Sequence, residues 1–330
     1  MEKDAALPTA ADLARARQLE ALRRHLGPQV LTWLAKPEVI EILLNPDGQL
    51  WVDRLGEGMR PEGTMGTVQA LAVIQSIAAL HESIVTARIP VLECELPLDG
   101  SRFEALLPPL VERPVFALRK KALLVFTLDD YVTRGILTES QCRILRQAVR
   151  DRENILVSGG TGSGKTTLLN AVLHAVREAT PEDRVVLLED TRELQCTAPN
   201  VVALRTTDTI DMIRLLRATL RLRPDRIIVG EVRGAEALAL LKAWNTGHPG
   251  GVGTVHANDA AAALERLNQL VQEAGVPPQP ALIAQAVHWV VHIRRTSSAP
   301  GRRVEEIVRM AGYRDGGFRV ELAPDGVASE

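Results

Sequence analysis

Cysteine, aromatic side chains and net charge are all scarce in this chain of 330 residues, and each scarcity removes a class of protein. The three cysteines, Cys94, Cys142 and Cys196, lie too far apart for a zinc knuckle or a redox CxxC pair. They exclude a disulfide scaffold and fit a reduced, cytoplasmic protein. Aromatics make up 3% of the chain, too few for an obvious base-stacking platform. Lys+Arg 39 against Asp+Glu 41 leaves −2, so no global positive field holds nucleic acid or an anionic membrane, and no stable nucleic-acid binding is expected. Long apolar runs are missing as well. The longest candidate for a span, Gly63 to Leu80, is free of charge but broken by Thr64, Thr67, Gln69, Gln75 and Ser76. Its apolar residues follow helical spacing, the mark of an amphipathic core helix and not of a bilayer span. No charged segment followed by an apolar one opens the chain, so secretion is not expected.

With 46% hydrophobic and 24% charged residues the composition is that of a globular protein, and the length favours two domains. Met1 to about Ala10 reads as a frayed terminus, followed by a charged helix from Ala11 to His25. Val39–Leu44 and Leu50–Arg54, separated by Asn45-Pro46-Asp47-Gly48, read as a hairpin. A helix over Val68–His81 and strands over Arg102–Leu107 and Val115–Arg119 complete a small α+β domain. Thr127 to Glu139 reads as a linker running into a helix over Glu139–Arg150, with the boundary near residue 130. Beyond it, β-branched runs at Ile155–Ser158, Val185–Leu188, Ile227–Val229 and Gly253–His256 alternate with helical segments, the pattern of a parallel sheet covered by helices.

Gly159-Gly160-Thr161-Gly162-Ser163-Gly164-Lys165-Thr166 matches GxxxxGK[ST] between an apolar strand and a helical run that begins at Thr167. Glycines let backbone N–H groups wrap phosphates, Lys165 offers a point charge to the β/γ oxygens, and the Thr166 hydroxyl can complete a Mg²⁺ shell. The expected nucleotide contacts therefore run from Gly159 through Thr167. In open α/β sheets ligands gather beyond the carboxyl ends of strands, where Glu189-Asp190, Glu231 and His256 fall. They are expected to face one nucleotide, with Glu231 a second candidate for Mg²⁺. No [NT]KxD tetrapeptide occurs, which disfavours a GTPase. Arg214, Arg217, Arg221, Arg223 and Arg226 form a basic cluster that reads as an inter-subunit or solvated face.

Four blocks in order resemble the secretion ATPase superfamily, the hexameric traffic ATPases of type II and type IV secretion and of type IV pili. They are the P-loop; an acidic box, Leu188-Glu-Asp-Thr-Arg-Glu-Leu194; an atypical Walker B, Arg223-Pro-Asp-Arg-Ile-Ile-Val-Gly-Glu-Val-Arg233; and a histidine box from Thr246-Gly-His248 to Gly253-Thr-Val-His256-Ala-Asn258. The likeness runs from about residue 35 to 310 and is nearest the conjugal-transfer branch, since the tetracysteine insert frequent in type II relatives is absent. It implies a RecA-like P-loop ATPase domain over 131–330 and a smaller N-terminal α+β domain over 1–130 that caps the nucleotide. ATP and Mg²⁺ are the implied cofactors. In this resemblance Glu193 polarises the attacking water, Glu231 is the Walker B glutamate, and His256 senses the γ-phosphate. Which glutamate is the general base stays open, as does whether His248 shares the sensor role or closes a turn. Arg102 and Arg119 are similar to arginines that reach the γ-phosphate from the first domain, which adds them to Lys165, Glu193, Glu231 and His256 as catalytic candidates. The implied assembly is a homohexamer that works with inner-membrane components of a conjugative secretion channel. It would be cytoplasmic and peripheral at the inner face of the bacterial inner membrane. A type IV pilus or type II secretion motor, or a RecA-type nucleic-acid motor, is the alternative.

Overall fold

The computed structural model describes residues 9–54, 57–121, 126–207 and 209–323. The chain divides into two compact units, Met1–Leu124 and Val125–Glu330. In the first, α1 (Ala10–Ala35) and β1 (Val39–Leu44), β2 (Gln49–Arg54) and β3 (Gly58–Thr64) precede α2 (Thr67–Leu80), and β4 (Val91–Glu95), β5 (Arg102–Leu106) and β6 (Val115–Arg119) follow. The strands form one antiparallel sheet in the order β3-β2-β1-β6-β5-β4. Leu22, Leu26, Val30 and Trp33 of α1 and Val73, Ile74 and Ile77 of α2 share a core with Ile42, Val52, Phe103 and Leu118 of the sheet.

Two sequence expectations for this unit are corrected. The first helix does not stop at His25 but resumes after Gly27, which takes φ 79°, and Pro28, so one kinked element reaches Ala35. Thr9 caps it, with its hydroxyl accepting from Asp12 N at 3.2 Å; of the segment expected to fray, residues 1–8 lie outside the described residues. The sheet also has six strands, not four. The two missed, β3 and β4, are its edges. Pro61 and two glycines remove the apolar alternation from β3, as an edge tolerates and a central strand does not.

The second unit begins with α3 (Leu128–Thr133), where a linker was expected; Thr127 and Asp130 form a reciprocal cap that stabilises this short helix. Next come α4 (Glu139–Arg150), β7 (Ile155–Ser158), α5 (Lys165–Ala179), β8 (Val185–Glu189), β9 (Val201–Arg205), α6 (Met212–Thr219), β10 (Arg226–Val229), α7 (Glu236–Asn245) and β11 (Val252–Val255). The chain closes with α8 (Ala260–Gln272), α9 (Pro280–Ala286), β12 (Trp289–Arg295), β13 (Arg302–Arg314) and β14 (Gly317–Leu322). Eight strands lie in the order β14-β13-β12-β7-β11-β10-β8-β9, and all but the β12–β13 and β13–β14 pairings are parallel. One strand, β11, separates the P-loop strand β7 from β10, and the unit is a RecA-like P-loop α/β fold.

Successive strand residues enter opposite cores, because side chains alternate across a sheet. Ile155 and Val157, Val185 and Leu187, Ile228, and Val291 and Ile293 pack with α3, α4 and α5. Leu156, Val186 and Leu188, Ile227 and Val229, and Val290 pack with α6 to α9. Burial on both faces is why β7, β8 and β10 read as apolar runs.

The basic cluster also needs correction. Arg226 belongs to no solvated face: it is 1% exposed at the start of β10. Its Nε donates to Asp183 Oδ2 at 2.6 Å, its Nη1 to the Gly250 carbonyl at 3.1 Å and its Nη2 to the Val149 carbonyl at 2.9 Å. Arg152 takes the other Asp183 oxygen at 2.5 Å. One buried pair thus ties the amino-terminal end of β10 to the end of α4 and to the turn before β11. Removing one partner strands a buried charge, which costs about 3–5 kcal/mol. We therefore expect Asp183→Asn to lower unfolding free energy in urea by about 3 kcal/mol. A loss below about 1 kcal/mol would contradict this account of the pair.

Candidate nucleotide-phosphate site

The loop after β7 and the N-terminus of α5 set the site. Gly164 is the N-cap of α5 at φ 100°, a left-handed conformation that suits glycine, and Gly162 has φ 68°. Gly159 is a glycine for a second reason: a Cβ there would lie 2.2 Å from the Ile293 carbonyl oxygen and 2.5 Å from Ser163 Oγ. The loop therefore lies against β12, while Gly160 has open space where its Cβ would be.

Lys165, first residue of α5, is 7% exposed. Its ammonium donates to the carbonyls of Gly159 at 2.9 Å and Gly160 at 3.0 Å, and stands 3.2 Å from His256 Nδ1. His256, just past β11, places Nε2 2.7 Å from Glu231 Oε1. That oxygen is buried and accepts no hydrogen bond, so the contact is a close approach off the hydrogen-bonding direction. The other Glu231 oxygen accepts from Arg233 Nε at 2.8 Å and Nη2 at 2.5 Å, and Arg233 Nη1 reaches Asp190 Oδ2 at 3.3 Å. Burial works against the charge on Arg233, and the Glu231 carboxylate overrides it, so its pKa is raised. Thr206 closes the chain on Asp190 Oδ1 at 3.1 Å. Lys165, His256 and Glu231 thus meet at the carboxyl edge of three different strands, as the parallel topology requires.

The acidic box differs from expectation at Glu189. It ends β8 at 4% exposure, and its Oε1 accepts from the backbone N–H groups of Glu193 at 2.8 Å and Leu194 at 2.6 Å. These bonds fold the loop, so Glu189 holds the backbone at Glu193 and Leu194. Asn170 does the same from α5: its Nδ2 donates to the Glu193 carbonyl at 3.2 Å and its Oδ1 accepts from Gln195 N at 2.9 Å. The only sequence signal for Asn170 is a polar residue on the buried face of the P-loop helix. Arg233 stands inside the Walker B block but draws no role from the motif. His248 donates Nδ1 to the Pro224 carbonyl at 2.9 Å, which ties the segment before β11 to the segment before β10. Arg102 and Arg119 belong to the other unit, where they are register partners on β5 and β6.

Glu231 Oε1 and the buried, unpartnered Ser163 Oγ are acceptors that a cation-bearing nucleotide can satisfy, and the open glycine loop accommodates phosphate. No group of three His, Cys, Asp or Glu side chains could hold a metal among the described residues. Mg²⁺ usually binds through one or two protein oxygens plus phosphate and water, a role for which the unpartnered Glu231 Oε1 is suited.

This phosphate loop on a RecA-like sheet defines a class, and comparison with known proteins narrows it. Residues 35–314 match the family described as Type II/IV secretion system protein, and the chain belongs to that family. Over 305 residues it is 50% identical to the probable conjugal transfer protein TrbB of Sinorhizobium fredii (strain NBRC 101917 / NGR234), covering 92% of this chain and 93% of that protein. Over 322 residues it is 34% identical to the type IV secretion system protein PtlH of Bordetella pertussis, covering 86% of this chain and 93% of the other. Among solved structures the Yersinia pseudotuberculosis ATPase DotB has the same fold, with TM-score 0.62 and 17% identity over 94% of this chain and 82% of that one.

The strand that supports the loop carries a pH-sensitive contact. Ser158, last residue of β7, pairs its hydroxyl with His292 Nδ1 of β12 at 3.0 Å. Burial lowers the pKa of His292, with Glu306 opposing. The unfolded chain then takes up a proton near the ordinary histidine value of about 6.5 while the folded chain does not, so stability falls as pH drops through that value and stops falling below the folded value. The melting temperature of the protein should fall more steeply between pH 7 and 5 than that of His292→Gln. Parallel curves would contradict the assignment.

Proposed function

We propose that this chain is the ATP-hydrolysing motor subunit of a conjugative type IV secretion system, using Mg-ATP. The observation that carries the hydrolase reading is the meeting of Lys165, His256 and Glu231 at one phosphate loop. The conjugative assignment rests on the 50% identity to a conjugal transfer protein over nearly the whole chain.

In this reading the loop N–H groups and Lys165 bind the phosphates, and Gly159 to Thr167 line them. Mg²⁺, held by Thr166 and Glu231, would neutralise charge on the β- and γ-phosphoryl oxygens. Lys165 leaves the Gly159 and Gly160 carbonyls for phosphate oxygens. His256, freed from Lys165, reports the γ-phosphate to Glu231, and through Arg233 to the acidic box. Glu193, fixed by Glu189 and Asn170, orients the attacking water and accepts its proton. The N-terminal unit, over roughly 1–130, caps the nucleotide, and Arg102 and Arg119 add the charge that a transferring phosphoryl group needs beyond Lys165 and Mg²⁺. Domain closure on ATP and reopening on phosphate release would turn chemistry into movement.

The working form in this proposal is a homohexamer at the cytoplasmic face of the inner membrane, in contact with channel components. No helix among the described residues is long and apolar enough to cross a membrane, so attachment is assigned to those partners or to the membrane surface.

Lys165→Ala should abolish turnover and weaken ATP binding without unfolding the protein. Glu193→Gln should keep ATP binding and lose turnover by about two orders of magnitude. Normal hydrolysis by Glu193→Gln together with a dead Glu231→Gln would exchange the two glutamate roles, and wild-type turnover in Lys165→Ala would end the hydrolase reading. Alanine at Arg102 or Arg119 should cut turnover about 10-fold with little change in ADP affinity. Equal loss of ADP and ATP binding would refute the γ-phosphate role of these two arginines.

A further inference from the structure

The phosphate loop has a second wall that no sequence motif marks. Glu231 follows β10 and His256 follows β11, both on one side of β7 in the sheet order, whereas β12 and β13 lie on the other. Three glycines of the loop meet the β12–β13 hairpin in turn. A Cβ on Gly159 would strike the Ile293 carbonyl oxygen at 2.2 Å, one on Gly162 would lie 3.7 Å from Arg295 Nη1, and one on Gly164 would lie 2.6 Å from Arg302 Nη1. Arg295 and Arg302 are register partners, the last residue of β12 and the first of β13. Because β12 runs parallel to β7, its end reaches the same edge as the loop.

These guanidiniums differ from their neighbour Arg294, which is paired with Glu305 at 2.9 Å. Neither Arg295 nor Arg302 has a carboxylate partner among the described residues. Arg302 nevertheless sits on a firm backbone: two residues on, Val304 N donates to the Ile136 carbonyl at 2.9 Å and the Val304 carbonyl accepts from Gln141 Nε2 at 3.3 Å. Two unpaired cations and Lys165 therefore crowd the N-terminus of α5, the positive end of that helix dipole. Like charge at this end is unfavourable, and an anion between them removes the conflict.

Direction follows from the sheet order. A triphosphate whose terminal group points to Glu231 and His256 must lead its remaining length away from them, toward β12 and β13. We propose that Arg295 and Arg302 form a second anion-binding wall of the loop and grip the part of the nucleotide that ATP and ADP share. This rests on the nucleotide reading of the loop. They are binding residues for both nucleotides, unlike the arginines of the first unit, which are assigned to the γ-phosphate.

The test measures dissociation constants of fluorescent ADP and of a non-hydrolysable ATP analogue, with the melting temperature of each ligand-free protein. Loss of one charge-assisted contact should raise both constants by the same factor, about 10-fold, in Arg302→Ala and to a similar degree in Arg295→Ala. Arg302→Lys should recover part of the affinity, and Arg294→Ala should leave it at the wild-type value. Ligand-free melting temperatures should stay level or rise, because a repelling charge is gone. Unchanged affinity in both alanine variants, weakening for the ATP analogue alone, or weakening accompanied by a lowered ligand-free melting temperature would each overturn the proposal. A wild-type protein that binds neither nucleotide would overturn the reading of the loop itself, and this inference with it.

Discussion

A buried ammonium must have partners, and the organisation of the second unit follows from how that requirement is met at Lys165. The glycines that let a phosphate loop close also bring the carbonyls of Gly159 and Gly160 within 2.9 and 3.0 Å of Nζ. In water those bonds would add little, but in a partly desolvated site an unpaired charge is costly. His256 completes the surroundings from the end of β11 and abuts Glu231 from the end of β10. A ligand that offers Lys165 better acceptors therefore changes the contacts of His256 and Glu231 as well. In the proposed mechanism, binding and chemistry are linked by competition for one cation.

Each of these partners is itself tied down. Arg233 joins Glu231 to Asp190, and Asp190 is joined to Thr206 just past β9. Glu189 and Asn170 hold the backbone at Glu193 from two directions, one from β8 and one from α5. At the opposite end of β10, Arg226 and Asp183 fix where the strand begins.

Much of this was legible in the sequence, for identifiable reasons. Strands β7, β8 and β10 are buried on both faces, so each leaves an apolar run that needs no partner to be seen, and the loop between β7 and α5 is fixed by glycine chemistry. Strands β3, β4 and β9 were missed because edges bury only part of one face; β9 alternates exposed with half-buried residues throughout. The hairpin of β12 and β13 was missed although Val290 and Val291 favour a strand, since His292 and the arginines that follow obscure its end. Arg226 was grouped with surface arginines because composition cannot show that Asp183, 43 residues away, meets it in the core. Asn170, Arg295 and Arg302 escaped for a common reason. Their roles depend on long-range approach, which no local spacing encodes.

The most direct test of the account is a crystal structure of the chain with Mg²⁺ and a non-hydrolysable ATP analogue, measured at the Lys165 ammonium. The account predicts that Nζ leaves the Gly159 and Gly160 carbonyls for the β- and γ-phosphoryl oxygens, and that His256 and Glu231 part. An analogue bound in the loop with Nζ still on both carbonyls and His256 still against Glu231 would contradict it.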